Sequence, residues 1–148
     1  MFIFIEMKIK ILKHFIYCLI TLLAFSGCAS LISSHDQYSY TQTTSLKVDA
    51  LNLMSEATED YKLHKAEAKL VSLNIQKLIE YEKYIPKNTI TQSQWKLLTD
   101  TSKDSYGGFI RVWKAKHILG TYFINEKQIQ VSKAFDDIIK LEAKKIHY

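Results

Sequence analysis

Apolar residues recur at steps of three and four from Thr41 onward, which is the spacing of one face of an α-helix. The first series predicts a helix whose buried face holds Leu46, Ala50, Leu53, Met54 and Ala57. The second series predicts a helix over about residues 60–84, with a buried face of Leu63, Ala66, Leu70, Leu73 or Asn74, Leu78 and Tyr81. Pro86 ends this second helix, because the residue before a proline disfavours helical geometry.

A short third helix follows the proline. Residues 91–94 have the spacing of a capping box, and Trp95 and Leu98 follow at the positions of a buried helical face. The segment at residues 100–108 is rich in polar residues and ends in a Gly-Gly pair, which predicts a loop. Two adjacent glycines indicate either an unusual backbone angle or a close approach of neighbouring backbone.

The last third of the chain carries two further apolar series. The fourth series holds Phe109, Ile110, Trp113, His117 and Ile118. The final series holds Ile124, Val131, Phe135, Ile138, Ile139 and Leu141, and Gly120 or Asn125 either separates these two helices or bends one long helix. Four glycines and one proline are too few for the turns of a β-sandwich or barrel. We therefore predict an all-α fold, an antiparallel bundle of four to five helices over residues 41–148, with Trp95, Trp113 and Phe135 in its core.

The N-terminal region has a different pattern. A basic stretch, which includes Lys8, Lys10 and Lys13, precedes an unbroken apolar run at residues 15–25. Eleven residues rise only about 16 Å as a helix, roughly half of a ~30 Å hydrocarbon core. We therefore interpret residues 1–27 as a signal peptide, and the chain starts either at Met1 or at Met7.

The sequence Leu-Ala-Phe-Ser-Gly-Cys at residues 23–28 resembles the lipobox of bacterial lipoproteins. This resemblance implies that the Cys28 thiol receives a diacylglyceryl group, that the chain is cleaved before Cys28, and that the new amine is acylated. Ala29 is not aspartate, which by the enterobacterial sorting rules implies the outer membrane, and we expect its periplasmic face. The alternative is an incidental cysteine after an ordinary signal peptide. Cys18 would leave with the signal peptide, so a lipidated chain has no free thiol for a disulfide or for catalysis.

Residues 28–40 are rich in serine and short polar side chains, and we predict a flexible, lipid-anchored tether there. Tyr38 and Tyr40 lie in this segment. Tyrosine buries a large area with few rotatable bonds, so both residues are candidates for contact with a partner. The helical domain would then stand off the bilayer without leaving it.

Candidate chemistry is scarce. Asp60, His64 and Glu67 share one side of the second predicted helix and form a weak polar cluster. A metal or acid–base site is one interpretation, but we favour a solvated charged face, because the spacing of a bundle di-iron site is reversed here and occurs once. The sequence contains no catalytic motif that we recognise, and we predict neither a catalytic residue nor a metal or other cofactor.

Removal of residues 1–27 leaves 17 basic and 14 acidic side chains, and Arg111 is the only arginine. Lysines spread over every helix favour solubility over nucleic-acid binding.

We expect a non-catalytic structural or interaction module that is anchored in the membrane and binds an envelope protein or the cell wall. The first alternative is a periplasmic carrier with a pocket for a small molecule or lipid between its helices. A cell-wall-modifying enzyme is the second alternative, and it would need a cleft that joins a histidine to a carboxylate.

Overall fold

The computed structural model describes residues 13–14 of the N-terminal region and residues 32–145 of the helical domain. The rest of the predicted signal peptide, residues 1–12 and 15–27, and Cys28 lie outside the described residues. Within that domain the chain forms five α-helices and no strand. The helices are α1 Gln37–Ser55, α2 Tyr61–Glu82, α3 Thr89–Thr99, α4 Tyr106–Lys116 and α5 Thr121–Lys144, with a 3-10 turn at Glu56–Thr58. The predicted all-α bundle of four to five helices is confirmed.

Helix α1 begins four residues before Thr41, because Asp36 caps it. The Asp36 Oδ1 atom accepts a hydrogen bond of 2.8 Å from the backbone amide of Ser39, which satisfies one of the free amides at the helix start. The predicted tether of residues 28–40 is therefore too long at its C-terminal end. The buried face of α1 is the predicted one, with Leu46, Ala50, Leu53 and Met54, and the predicted Ala57 is buried in the 3-10 turn that follows.

Helices α1 and α5 run antiparallel along each other. Lys47 of α1 forms a 2.6 Å ion pair with Asp136 of α5. Farther along the same interface, the side-chain amide of Gln128 donates to the Ser55 hydroxyl at 2.8 Å. Later residues of α1 thus meet earlier residues of α5. The buried face of α5 holds Ile124, Val131, Phe135 and Ile138, as predicted.

The predicted buried face of α2 is correct at Leu78 and wrong at most of its other positions. Leu63 is 72% exposed and Leu70 is 56% exposed, and Ala66, Leu73 and Tyr81 are exposed as well. The core instead takes Ala68, Val71 and Ile75, a second apolar series on the same helix, together with the predicted Leu78. Lys77 and Glu80 lie seven residues after Leu70 and Leu73 on the same face, so packing that face inward along the whole helix would have buried both charges at high cost.

The two helix junctions in the second half of the chain are tight. No glycine among the described residues has a positive φ, so the close-approach interpretation of the Gly-Gly pair is the correct one. At the junction of α4 and α5, His117 adopts a φ of 67° and ends α4. Gly120 then occupies the N-cap position of α5, and Asn125 lies inside that helix. Gly120 therefore separates two helices.

The core is built around aromatic side chains. Trp95, Trp113 and Phe135 are fully buried, which confirms the predicted core residues. The Trp95 and Phe135 rings meet edge to face, with centroids 5.9 Å apart, which is a favourable aromatic geometry. Trp113 lies 5.3 Å from the ring of Tyr61 and is also nearly perpendicular to it.

We predict that Gly107→Ala destabilises the fold by about 1–3 kcal/mol, because overpacking costs that much when backbone atoms must move. A Cβ atom at Gly107 would lie 2.6 Å from the carbonyl carbon of Thr99. Gly120→Ala is the matched control, because its Cβ would meet no atom within 4 Å. Urea unfolding followed by tryptophan fluorescence measures both changes, and equal stabilities of the two variants would contradict the close approach.

Candidate functional site

The three residues of the predicted polar cluster do not form one site. The His64 Nε2 atom lies 2.9 Å from a carboxylate oxygen of Glu59, and its Nδ1 atom lies 3.9 Å from Glu67. Asp60 instead caps α2 by accepting a 2.9 Å hydrogen bond from the amide of Lys62, and it lies 3.6 Å from His117. The hydrogen bond from Lys62 is the main reason that the pKa of Asp60 is lowered.

A different trio offers metal-ligating atoms. Single donor atoms of Glu56, Glu59 and His64 lie within 4.8 Å of one another. The His64 ring is held beside the Trp113 ring, with centroids 5.6 Å apart, and the Trp113 indole nitrogen donates to the Glu59 carbonyl at 3.0 Å. Both glutamates are exposed, and exposed carboxylates usually pair with a neighbouring cation or with water. We therefore keep the interpretation of a charged surface.

Buried charges lie at one end of the bundle, where the ends of α2 and α5 meet the start of α3. Glu82, Glu142 and Lys145 are all at least 96% shielded from solvent, since their exposed fractions are 0%, 0% and 4%. The Lys145 ammonium contacts Glu142 and donates to the side-chain oxygens of Asn88 at 2.9 Å and Thr91 at 3.3 Å. We call these five residues the junction cluster.

The junction cluster holds two carboxyl groups and a single ammonium. The Asn88 amide donates to Glu82, and the Thr91 hydroxyl donates to Glu142 at 3.1 Å. Burial raises the pKa of the Glu82 carboxyl, and the nearby Glu142 raises it further, against the opposing influence of Ser39, Asn88 and Lys145. Protonation of Glu82 therefore leaves a single ion pair, Glu142 with Lys145, in the buried cluster.

The N-terminal segment of the domain is bound to this same end of the bundle. The Ser33 amide donates to the Lys87 carbonyl at 3.1 Å, and the Ser33 hydroxyl donates to Asn88 at 3.1 Å. The His35 Nδ1 atom lies 2.9 Å from the Glu142 carbonyl, and this hydrogen bond is the main reason that the pKa of His35 is raised. Residues 33–35 are thus attached to both α5 and the turn before α3.

The two tyrosines predicted as contact residues lie on α1, next to this segment. Tyr38 is 52% exposed and packs against Tyr81 with ring centroids 4.8 Å apart. The Tyr81 hydroxyl donates to the Asp36 carboxylate at 2.8 Å, so these rings extend the attachment to the end of α2. Tyr40 is half-buried beside the His35 ring. Contact of Tyr38 or Tyr40 with a partner stays a prediction.

The sequence contains a signal for the junction cluster, because its charged residues follow the buried apolar series of α2 and α5. Glu82 follows Val71, Ile75 and Leu78 at the same three- and four-residue steps that define the buried face of α2. Glu142 and Lys145 continue the buried series of α5 in the same way. In both helices the charged residue follows buried apolar residues at helical spacing, and a buried charge needs a partner of opposite charge or hydrogen bonds.

Comparison of the chain with family models, with curated proteins and with solved structures found no match. The search for membrane-spanning helices covered the described residues, and it found none that is both long and apolar enough to cross a bilayer.

We predict that Glu82→Gln becomes progressively more stable than the parent chain as the pH rises. The pKa of Glu82 is raised above its ordinary value of 4.5 in the folded state, so the neutral carboxyl stabilises the fold below that pH. This stabilisation is lost as the pH rises through the raised pKa, whereas the amide of glutamine cannot ionise. Thermal unfolding between pH 4 and 9 measures the difference.

Glu80→Gln is the control for this experiment, because Glu80 is an exposed carboxylate on the same helix and pairs with Lys83 at 2.5 Å. Its difference from the parent should vary little with pH, since an exposed pair contributes little to stability. A difference between Glu82→Gln and the parent that stays constant over the whole pH range would contradict the prediction.

Proposed function

We propose that this chain is a lipid-anchored module of the bacterial cell envelope that binds another envelope component and catalyses no reaction. The lipobox-like sequence at residues 23–28 supports the anchor, and the absence of aspartate at position 29 supports the outer membrane. The expected position is the periplasmic face. The partner would be an envelope protein or the cell wall.

The observation that carries this proposal is the attachment of the N-terminal segment to the junction end of the bundle. Four residues separate Cys28 from Ser33, and Ser33 already bonds to Lys87 and Asn88. Five residue steps span at most about 18 Å. A lipid on Cys28 therefore keeps the junction end within that distance of the bilayer, while the opposite end and the sides of the bundle remain available for a partner.

The buried carboxyl groups and the surface histidines of the bundle already have hydrogen-bonding or ion-pair partners, which supports a binding role over a catalytic one. The carboxyl groups of Glu82 and Glu142 are buried among hydrogen-bonding partners, where a substrate has no access. His64 and His117 pair with separate carboxylates, Glu59 and Asp60, on the surface. A general acid–base mechanism would need such groups to converge on one cleft.

We predict that Cys28→Ser abolishes labelling by radioactive palmitate and leaves the uncleaved precursor in the membrane fraction. The lipid is attached through the thiol of Cys28, and the signal peptide is removed after that step in this class of protein. Cys18→Ser is the matched control and should keep both the label and the cleavage. Mass spectrometry that finds an unmodified thiol at position 28 of the processed chain would refute the proposed anchor.

The carrier alternative has one structural feature in its favour. A groove of about 340 Å³ lies between α2, α3 and α4, and Ile75, Ile79 and Ile110 contribute to its walls. The hydroxyl of Tyr106 is buried at this groove without a hydrogen-bond partner. Small-molecule pockets have this volume range and this mixture of apolar walls with few polar groups.

A carrier of this kind should bind a fluorescent fatty acid saturably, with one ligand per chain. Ile110→Trp fills the groove and should weaken that binding at least tenfold, whereas Leu97→Trp, at an exposed position on α3, should leave it unchanged. A titration of the purified chain measures both. Failure of the parent chain to bind saturably would remove the carrier alternative and leave the interaction module.

A further inference from the structure

One face of α2 is apolar and exposed. We define the leucine stripe as Leu63, Ala66, Leu70 and Leu73, all of which are exposed to solvent. The opposite face of the same helix supplies Val71, Ile75 and Leu78 to the core. Helix α2 is therefore apolar on two sides, and the bundle covers one of them. Contiguous apolar patches of this kind on a soluble surface mark sites of contact.

The stripe has the spacing of a coiled-coil seam. Leu63 and Leu70 are seven residues apart, as are Ala66 and Leu73, and the two pairs are offset by three. These are the a and d positions of two successive heptads, which pack against another helix with the same pattern. A second copy of this chain presents such a helix, and its stripe has the same length and steps.

The charges beside the stripe select the orientation of the two helices. Lys62 and Lys69 occupy g positions and Glu67 an e position, and all three side chains are exposed. In a parallel pair, position g of one helix faces position e of the next heptad in its partner, so Lys62 of each copy would face Glu67 of the other. An antiparallel pair would place lysine opposite lysine and glutamate opposite glutamate, which is repulsive.

The polar residues at the next seam positions limit the contact. Lys77 and Glu80 follow at a and d, so the apolar seam ends at Leu73, and its ten residue steps span about 15 Å. Two heptads form a small contact, which is typical of a weak and reversible pair. A parallel pair about a two-fold axis places the junction ends of both copies on the same side, where lipid anchors would confine both copies and raise their effective concentration.

We propose that two copies of this chain form a parallel, two-fold symmetric dimer through the leucine stripe of α2. The dimer geometry follows from the stripe and its charges alone. The fraction of chains that are dimeric in the cell rests on the proposed function, because the lipid anchor supplies the local concentration.

Disulfide trapping of the full-length chain in native membranes tests this dimer. In a parallel two-fold pair, each seam residue faces its own copy, so Ala66→Cys should form a disulfide-linked homodimer on mild oxidation. Lys65→Cys is the matched control, because position 65 is exposed on α2 but points away from the seam. We expect at least tenfold more crosslinked dimer from Ala66→Cys than from Lys65→Cys.

The parent chain, which lacks both introduced cysteines, separates this test from that of the lipid anchor. A disulfide dimer of the parent would reveal either a free thiol at Cys28 or an uncleaved chain that keeps Cys18, and both would count against the proposed function. Equal crosslinking of Ala66→Cys and Lys65→Cys would overturn the dimer instead. A crosslinked band at a mass other than twice that of the chain would also overturn it, since the occupant would then be another protein.

Charge reversal tests the orientation. Lys62→Glu and Glu67→Lys, each added to the Ala66→Cys chain, should lower the crosslinked yield about fivefold, because each creates two like-charge contacts per dimer. The chain with both reversals restores two opposite-charge contacts and should recover the yield of Ala66→Cys alone. Absence of this recovery would overturn the parallel arrangement, as would efficient crosslinking of mixed Leu63→Cys and Leu73→Cys chains.

Discussion

The fold depends on one buried junction, in which charged side chains of α2 and α5 meet polar side chains at the start of α3. Lys145 contacts Glu142 and donates to Asn88 and Thr91. These bonds join the end of α5 to the start of α3, and they are shielded from water. Breaking a buried pair leaves an uncompensated charge, which costs far more than an exposed pair contributes. The same junction binds Ser33 and His35, so residues near the start of the described domain share the constraint.

In this arrangement the C-terminal end, the inner face and the outer face of α2 have different roles. The C-terminal end supplies Glu82 to the junction cluster, near the point where the chain continues toward Cys28. The inner face completes the core, and the outer face carries the leucine stripe along the side of the bundle. The proposed lipid anchor and the exposed apolar face would be geometrically compatible, because a partner beside the domain would not compete with a bilayer at the junction end.

The sequence predicted some helix faces correctly and one incorrectly, for a physical reason. The apolar series of α1 and α5 are single, so periodicity alone identified Leu53 and Phe135 as core residues. Helix α2 carries two series, and periodicity does not say which of them meets a neighbour. The predicted boundary between the tether and the first helix was misplaced for a related reason. Asp36 caps α1 and accepts a hydrogen bond from the Tyr81 hydroxyl, and only the folded chain brings Tyr81 close to it.

The sequence by itself determined the all-α class, the number of helices to within one, the aromatic core and the resemblance around Cys28, because these depend on local spacing and composition. Tertiary structure alone decided which face of α2 is buried, which residues surround Lys145, and why positions 107 and 108 of α4 have no room for a side chain. Those outcomes depend on contacts between residues far apart in the chain, such as Thr91 with Glu142, and no local pattern records which segments will meet. His64 shows the same limit, since its partner is Glu59 and its ring rests beside Trp113.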